Sequence, residues 1–390
     1  MAPVMGPDPL RVALAGLARV TEAGSAVVRR TVLEHGAPAV WEALRTGRPV
    51  GEIGADTAAA AAARAVGLDP VDDLRAAADV GARLIHPGDD EWPSQRLDYP
   101  PTPKVEAAPL WLWVRGMHRL DEAVDRSVAV VGARAASTYG AHIAHEISFG
   151  LAERGWSVVS GGAYGIDVAA HKGSLASGAA PTVAVLANGV DVAYPRGNDR
   201  VLAQVARTGL VVSELPPGSR PTRRRFLVRN RLIAALSRGT LVVEAAARSG
   251  SLATVSRASY LGRPVMAVPG PVTSAMSRGC HELLRRDPDV RLVTGAVEVL
   301  EHVGPIGEYL ADPAQGPTTV RDTLPDTVLA VLDAVPVRGG AGVAVLARDA
   351  GVAPLVVQQV LPPLLAHGLV ERTSLGWRLT ALGAGRGPAA

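Results

Sequence analysis

Residues 127–134 read Ser-Val-Ala-Val-Val-Gly-Ala-Arg, and residues 157–167 read Ser-Val-Val-Ser-Gly-Gly-Ala-Tyr-Gly-Ile-Asp. Each is a short β-branched run that breaks into glycine and is followed by a helical pattern. The same alternation continues to about Val303. The runs are Val128–Val131, Ser157–Val159, Thr182–Leu186, Leu210–Val212, Thr240–Val243, Val265–Val268 and Val290–Val293. Helical segments between them include Tyr139–Arg154, Ile166–Ser177, Arg200–Thr208, Arg229–Ser237 and Ser251–Leu261. Strands that are apolar throughout and separated by helices imply a parallel sheet covered on both faces. Right-handed crossovers then give an α/β, doubly wound, Rossmann-like domain over residues 127–303.

The flanks read differently. Residues 1–70 carry apolar residues at helical spacing, punctuated by Gly24, Gly36, Pro38 and Gly47, and predict a small helical module. Residues 71–126 form a lead-in with two strand-like pieces, Ala82–Ile85 and Leu110–Val114, and a proline-rich stretch, Pro100-Pro101-Thr102-Pro103. Residues 304–325 are a linker broken by Pro305, Pro313, Gly316, Pro317 and Pro325. Three helices, Thr327–Val335, Val343–Ala350 and Pro354–His367, then precede two strand-like pieces. That order predicts a winged helix-turn-helix over residues 326–381. Pro362-Pro363 should kink or split its third helix.

At ~150 residues per domain, a chain of 390 residues holds two or three domains. Apolar residues at 48% and charged residues at 20% describe a folded globular chain. One cysteine, Cys280, excludes an internal disulfide framework and any multi-cysteine metal site. No run of ~18 apolar residues and no secretory signal is found, so no membrane span and a cytoplasmic location are expected. Neither a G-x-G-x-x-G nor a G-x-x-x-x-G-K-[ST] motif is found, and no cofactor or metal is expected.

Ligands of open α/β sheets bind beyond the carboxyl ends of the strands. Those ends carry Gly132-Ala133-Arg134, Ser160-Gly161 through Asp167, Asn188-Gly189, Glu244 and Pro269-Gly270. Such glycines either let backbone N–H groups approach phosphate or simply make tight turns. Asp167 and Glu244 read first as structural caps or ion-pair partners, and His142, His145 and His171 as surface or packing residues. The net charge is only +3, and Lys104 and Lys172 are the only lysines among 40 basic residues. Arginine is nevertheless concentrated. Residues 220–231 hold Arg220, Arg223, Arg224, Arg225, Arg229 and Arg231 with no acid, around Phe226. This stretch reads as a loop that enters the helix at Arg229. Arginines interleaved with an aromatic suit a single nucleic-acid strand, the cations holding phosphate and the ring stacking on a base. The alternative is a solvated loop anchored by the phenylalanine.

In order and spacing, these motifs resemble the DNA-processing protein A (DprA/Smf) family. The resemblance rests on Val131–Arg134 with Tyr139-Gly140, Ser160–Asp167, Ala170-His171, Tyr194-Pro195, Ser213-Glu214 and Phe226. It continues through Arg229-Asn230-Arg231, Leu236-Ser237, Glu244-Ala245, Ser249–Leu252, Thr254 and Ala267–Gly270. Trp92 through Trp111 resembles the family's lead-in, and residues 1–70 more loosely its SAM/HhH-like helical module. Ala133, Tyr164, Leu227 and Cys280-His281 depart from the usual pattern.

The resemblance implies a non-enzymatic homodimer that binds single-stranded DNA, protects incoming strands and loads the RecA recombinase during natural transformation. By position it implies a DNA site made by Gly132, Arg134, Ser160, Gly161, Phe226, Arg229, Asn230, Arg231, Ser249 and Gly250, to which the arginine run itself adds Arg223, Arg224 and Arg225. A nucleotide-processing enzyme of related fold, phosphoribohydrolase-like, is the alternative; Pro269-Gly270-Pro271-Val272-Thr273 lacks that class's second glycine and downstream glutamate. The third winged-helix segment has no Lys or Arg, so this unit is expected to add little DNA affinity and to contact protein instead.

Overall fold

The computed structural model describes residues 8–100, 104–310 and 320–384. It divides into two compact units, residues 1–311 and 312–390. Part of the proline-rich stretch (101–103) and of the linker (311–319) lies outside the described residues.

The first unit opens with five helices, α1 (Pro9–Val20), α2 (Ala26–His35), α3 (Ala37–Arg45), α4 (Ala55–Ala65) and α5 (Pro70–Asp79). Then come β1 (Ala82–Ile85), α6 (Ser94–Leu97), β2 (Leu112–Arg115) and α7 (Leu120–Asp125). The alternating part follows as β3 (Ser127–Gly132), α8 (Thr138–Glu153), β4 (Ser157–Ser160), α9 (Ile166–Ser177), β5 (Val183–Val185), α10 (Asp199–Thr208) and β6 (Leu210–Ser213). It continues with α11 (Arg223–Ala235), β7 (Gly239–Glu244), α12 (Ser251–Tyr260), β8 (Val265–Ala267), α13 (Arg278–Arg286), β9 (Arg291–Leu292) and α14 (Ala296–Val303).

All seven expected runs are strands of one nine-stranded sheet, ordered β1-β2-β6-β5-β4-β3-β7-β8-β9. The seven pair in parallel; β1 and β2 add an antiparallel edge through Trp113↔Ser213. Chain order runs outward from β3 in both directions, so β3 and β7 flank the topological switch point, where such sheets open a crevice.

The alternation of each strand sorts the core into layers. Ala129, Val131, Val159, Val183, Val185 and Val212 face one side, against Leu232, Ile233, Val255 and Cys280 of α11, α12 and α13. Val128, Val130, Val158 and Leu241 face the other, under α8, α9 and α14. Beside that second layer, Trp113, Leu84, Ala184 and Val211 pack on Leu14, Leu17, Val40 and Ala58 of the amino-terminal helices. Residues 8–70 therefore bury their apolar faces on the antiparallel end of the sheet itself.

The second unit contains α15 (Asp326–Ala334), α16 (Val343–Ala350), α17 (Pro354–Ala366) and the hairpin β10 (Val370–Thr373) with β11 (Gly376–Leu379). Helices α16 and α17 turn by 104° at their break, within the range of a helix-turn-helix. Their inner residues, Leu346, Val357, Leu361 and Leu364, share a core with Val331 and Val370. The third helix is not split here. Helix α17 runs unbroken across Pro362 and Pro363. The prolines remove two N–H donors, but buried Leu361 and Leu364 on either side hold that turn against the core. No single helix among the described residues is long and apolar enough to cross a membrane.

Candidate nucleic-acid interface

A cleft of about 680 Å³ opens at the carboxyl ends of β3 and β7. Its first wall is the β3 turn. Ala133 N donates to the Glu244 carbonyl at 2.7 Å, which ties the two strand ends together. The β4 turn closes against the same loop: Ile166 N donates to the Ala133 carbonyl at 3.1 Å. Gly165 permits this with a φ of +77°; a Cβ there would strike the carbonyls of Ala133 and Arg134. Arg134 is thereby held at the rim, exposed.

The second wall is α11, and here the sequence expectation needs correction. The arginine run is not a loop entering a helix at Arg229; the helix begins at Arg223. Thr222 caps it, its Oγ1 accepting from Arg225 N at 3.3 Å. Arginine is a good helix former, and the cap lets the run coil from its start. Helical geometry then divides the run. Arg223, Phe226, Arg229, Asn230 and Ile233, spaced by three and four, line the cleft.

The others do not. Arg224 lines a separate groove beside Glu22 and Glu106. Arg225 donates to the Arg220 carbonyl at 2.8 Å. Arg231, expected in the DNA site, is fully buried; its Nη2 donates to Glu214 Oε2 at 2.5 Å, and its Nη1 lies 3.4 Å from the Tyr99 hydroxyl. Burial pushes the Glu214 carboxyl up, and the Arg231 cation pulls against it. Ser160 and Gly161 also fall outside the lining. The Ser160 hydroxyl, buried, donates to the Val130 carbonyl at 2.6 Å. Gly161 lies under Arg229 and Asp167, and a Cβ on it would collide with Arg229 Nη1 and Asp167 Oδ2.

Phe226 is half-buried and framed by cations. The guanidinium carbon of Arg134 lies 5.0 Å from its ring centroid and that of Arg229 5.9 Å. Tyr194 tilts against it at 5.8 Å and 46°. Arg229 is held from behind, Nη1 donating to the Val185 carbonyl at 2.9 Å, while its buried Nε has no partner. Burial lowers the proton affinity of Arg229 and raises that of Asp167, and the two charges oppose those shifts in one another.

The third wall is the turn into α12, with Arg248, Ser249 and Gly250. Among the described lining residues, four arginines (134, 223, 229 and 248) face one carboxylate, Asp167. Arg248, Tyr194 and Thr222 were not expected in the site. A signal for Arg248 existed, since it stands at a strand end beside Ser249-Gly250.

The remaining candidates have structural work. Glu244 accepts from Ser137 N and Oγ at 2.8 and 2.7 Å and so anchors the start of α8. Buried His171 bridges Gly161 O at 2.9 Å through Nε2 and Thr182 Oγ1 at 2.8 Å through Nδ1. A carbonyl only accepts, so the neutral ring carries its proton on Nε2; burial lowers its pKa to about 4. His142 and His145 lie on α8, with no third metal-ligating side chain gathered there among the described residues. Cys280 is buried, its thiol pushed up to about 12.

The family model for the DNA recombination-mediator protein A matches residues 83–304, which include all seven parallel strands and all three walls of the cleft. The chain is 43% identical over 387 residues to a Mycobacterium tuberculosis protein described as a DNA processing protein DprA, covering 98% of this chain and 97% of that one. The chain belongs to the DNA recombination-mediator protein A (DprA) family. The Streptococcus pneumoniae DNA processing protein DprA is 44% identical over 197 residues, half of this chain and 68% of that protein. The crystal structure of DprA from S. pneumoniae superposes with a TM-score of 0.60 at 32% identity, over 79% of this chain and 100% of that one.

Proposed function

We propose that the cleft holds a single DNA strand, and that the chain acts as a non-enzymatic recombination mediator. The observation that carries this is the half-buried Phe226 ring set between Arg134 and Arg229, in a cleft where four arginines face one carboxylate. A flat ring offers a stacking surface to any base, and the guanidinium groups hold the phosphates on either side. A duplex hides its base faces, so a stacking site favours a single strand. The finer parts follow the family: protection of incoming strands, loading of RecA during natural transformation, a homodimer, and a cytoplasmic place of work. By position, Gly132, Arg134, Arg223, Phe226, Arg229, Asn230, Ser249 and Gly250 would contact the strand, joined by Arg248 and Tyr194.

The test is binding to matched single- and double-stranded oligonucleotides across a salt series, with mass in solution measured alongside. Preference for the single strand, without sequence dependence, and a log–log salt slope near −0.7 per phosphate neutralised are expected. Equal affinity for duplex, or turnover of nucleoside monophosphates by the purified protein, would favour the alternatives.

A further inference from the structure

The parallel strands have a second end. At the amino ends of β3, β7 and β8, opposite the cleft, three arginines gather: Arg96 from α6, Arg238 just before β7 and Arg263 in the turn before β8. Arg96 Nη2 and Arg238 Nε both donate to the carbonyl oxygen of Asp125, at 2.8 and 2.7 Å, so two guanidinium groups meet on one atom. That contact closes the carboxyl end of α7, which is an adequate structural task for those two. Arg263 has no share in it. Its backbone N–H donates to the Ala258 carbonyl, but its half-buried side chain makes no hydrogen bond or ion pair among the described residues, and its Nε is shut off from solvent without a partner.

Asp125 is the carboxylate that answers this group. It lies 3.1 Å from Arg238 and 3.9 Å from Arg96, with 58% of its side chain exposed. Arg126, next along the chain, faces Glu308 at 3.4 Å instead. Two of the cations therefore share one exposed anion, and Arg263, beside Arg238, has none. Burial, together with repulsion from Arg263 and Arg238, lowers Arg96 to about 10, and burial with Arg238 lowers Arg263. Like charges packed this way are stabilised by an anion among them. Planar guanidinium forks fit the paired oxygens of a tetrahedral oxyanion better than a point charge does.

We propose that Arg96, Arg238 and Arg263 form a second anion site, for a phosphoryl group. Strand β7 spans six residues, so this site and the cleft are separated by something on the order of 20 Å and no single phosphate reaches both. The phosphoryl group arrives either free, as inorganic phosphate, or on a nucleic-acid strand already held elsewhere.

Calorimetric titration of the full chain at fixed ionic strength separates these cases. Inorganic phosphate and a single-stranded oligonucleotide, with and without a 5′-phosphate, are each added to wild type, Arg263→Gln and Phe226→Ala. Phosphate should bind wild type and Phe226→Ala alike and Arg263→Gln about tenfold more weakly, the loss of one charge-assisted pair. A loss confined to inorganic phosphate assigns a free ligand; a loss for the oligonucleotide as well assigns the strand. Arg263→Lys, which keeps the stem and the charge but not the fork, should fold like wild type and bind with intermediate strength if the glutamine variant unfolds. Arg263 variants that bind both ligands as wild type does would overturn the site. Loss of oligonucleotide binding in Phe226→Ala alone bears on the cleft and not on this proposal.

Discussion

Arg134 and Phe226 meet across the switch point of the sheet, the guanidinium carbon 5.0 Å from the ring centroid. One residue lies in the turn that follows β3; the other stands in the first turn of α11, ninety-two positions later in the chain. Removing the ring leaves the arginines without their flat partner. Phe226→Ala should weaken single-strand binding by ~1–3 kcal/mol and leave the denaturation midpoint nearly unchanged, since the ring is half-exposed. Fluorescence anisotropy beside urea unfolding reads both. Unchanged affinity in this variant and in Arg229→Ala would sink the cleft as the binding site.

Two arginines should fail in opposite ways. Arg231→Ala strips the partner from buried Glu214 and should cost about 3–5 kcal/mol of stability. Arg248→Ala, at the exposed rim, should leave stability alone and reduce the salt slope of binding by roughly one phosphate. Paired unfolding and salt-titration curves decide it; a stable Arg231→Ala protein with weakened binding would return that residue to the site.

His171 makes stability depend on pH. Its pKa is about 4 in the fold and ordinarily near 6.5. Between those values the unfolded chain takes up a proton that the folded chain refuses. Stability therefore declines as pH falls from about 6.5 to 4, by roughly 3 kcal/mol at most, and this contribution is flat above that window. The slope over that range should be shallower in His171→Asn; identical slopes in the two proteins would exclude the residue as its source.

The carboxyl-terminal unit should matter little to strand affinity. Helix α17 presents Leu355 and Leu365 to solvent, 64% and 45% exposed, and carries no basic side chain. A chain ending at residue 311 should bind single-stranded DNA within about twofold of full length, because few phosphate contacts are lost. A larger loss than that of Arg229→Ala would show that the unit grips DNA.

The sheet was legible because strands buried on both faces write themselves as unbroken β-branched runs. The arginine run was legible in kind but not in direction. Its charge suggested a loop, while Thr222 and the helix-forming tendency of arginine start α11 six residues earlier than read. Which arginines face the cleft depends on that start. Arg231 looked like its neighbours in the string; only the sheet order brings Glu214, just past the end of β6, against its guanidinium. Arg248 was missed for a related reason: β3 and β7 are adjacent in the sheet and distant in the chain.

Gly161 contacts no ligand in this reading, yet it sets the depth of the cleft. Arg229 and Asp167 both lean into the space that any side chain on it would occupy. Even alanine there would lift Arg229 off the Val185 carbonyl and tip Phe226's cationic neighbour toward solvent. The floor of the cleft is thus defined by a hydrogen atom, at a position that a search for charged or aromatic groups passes over.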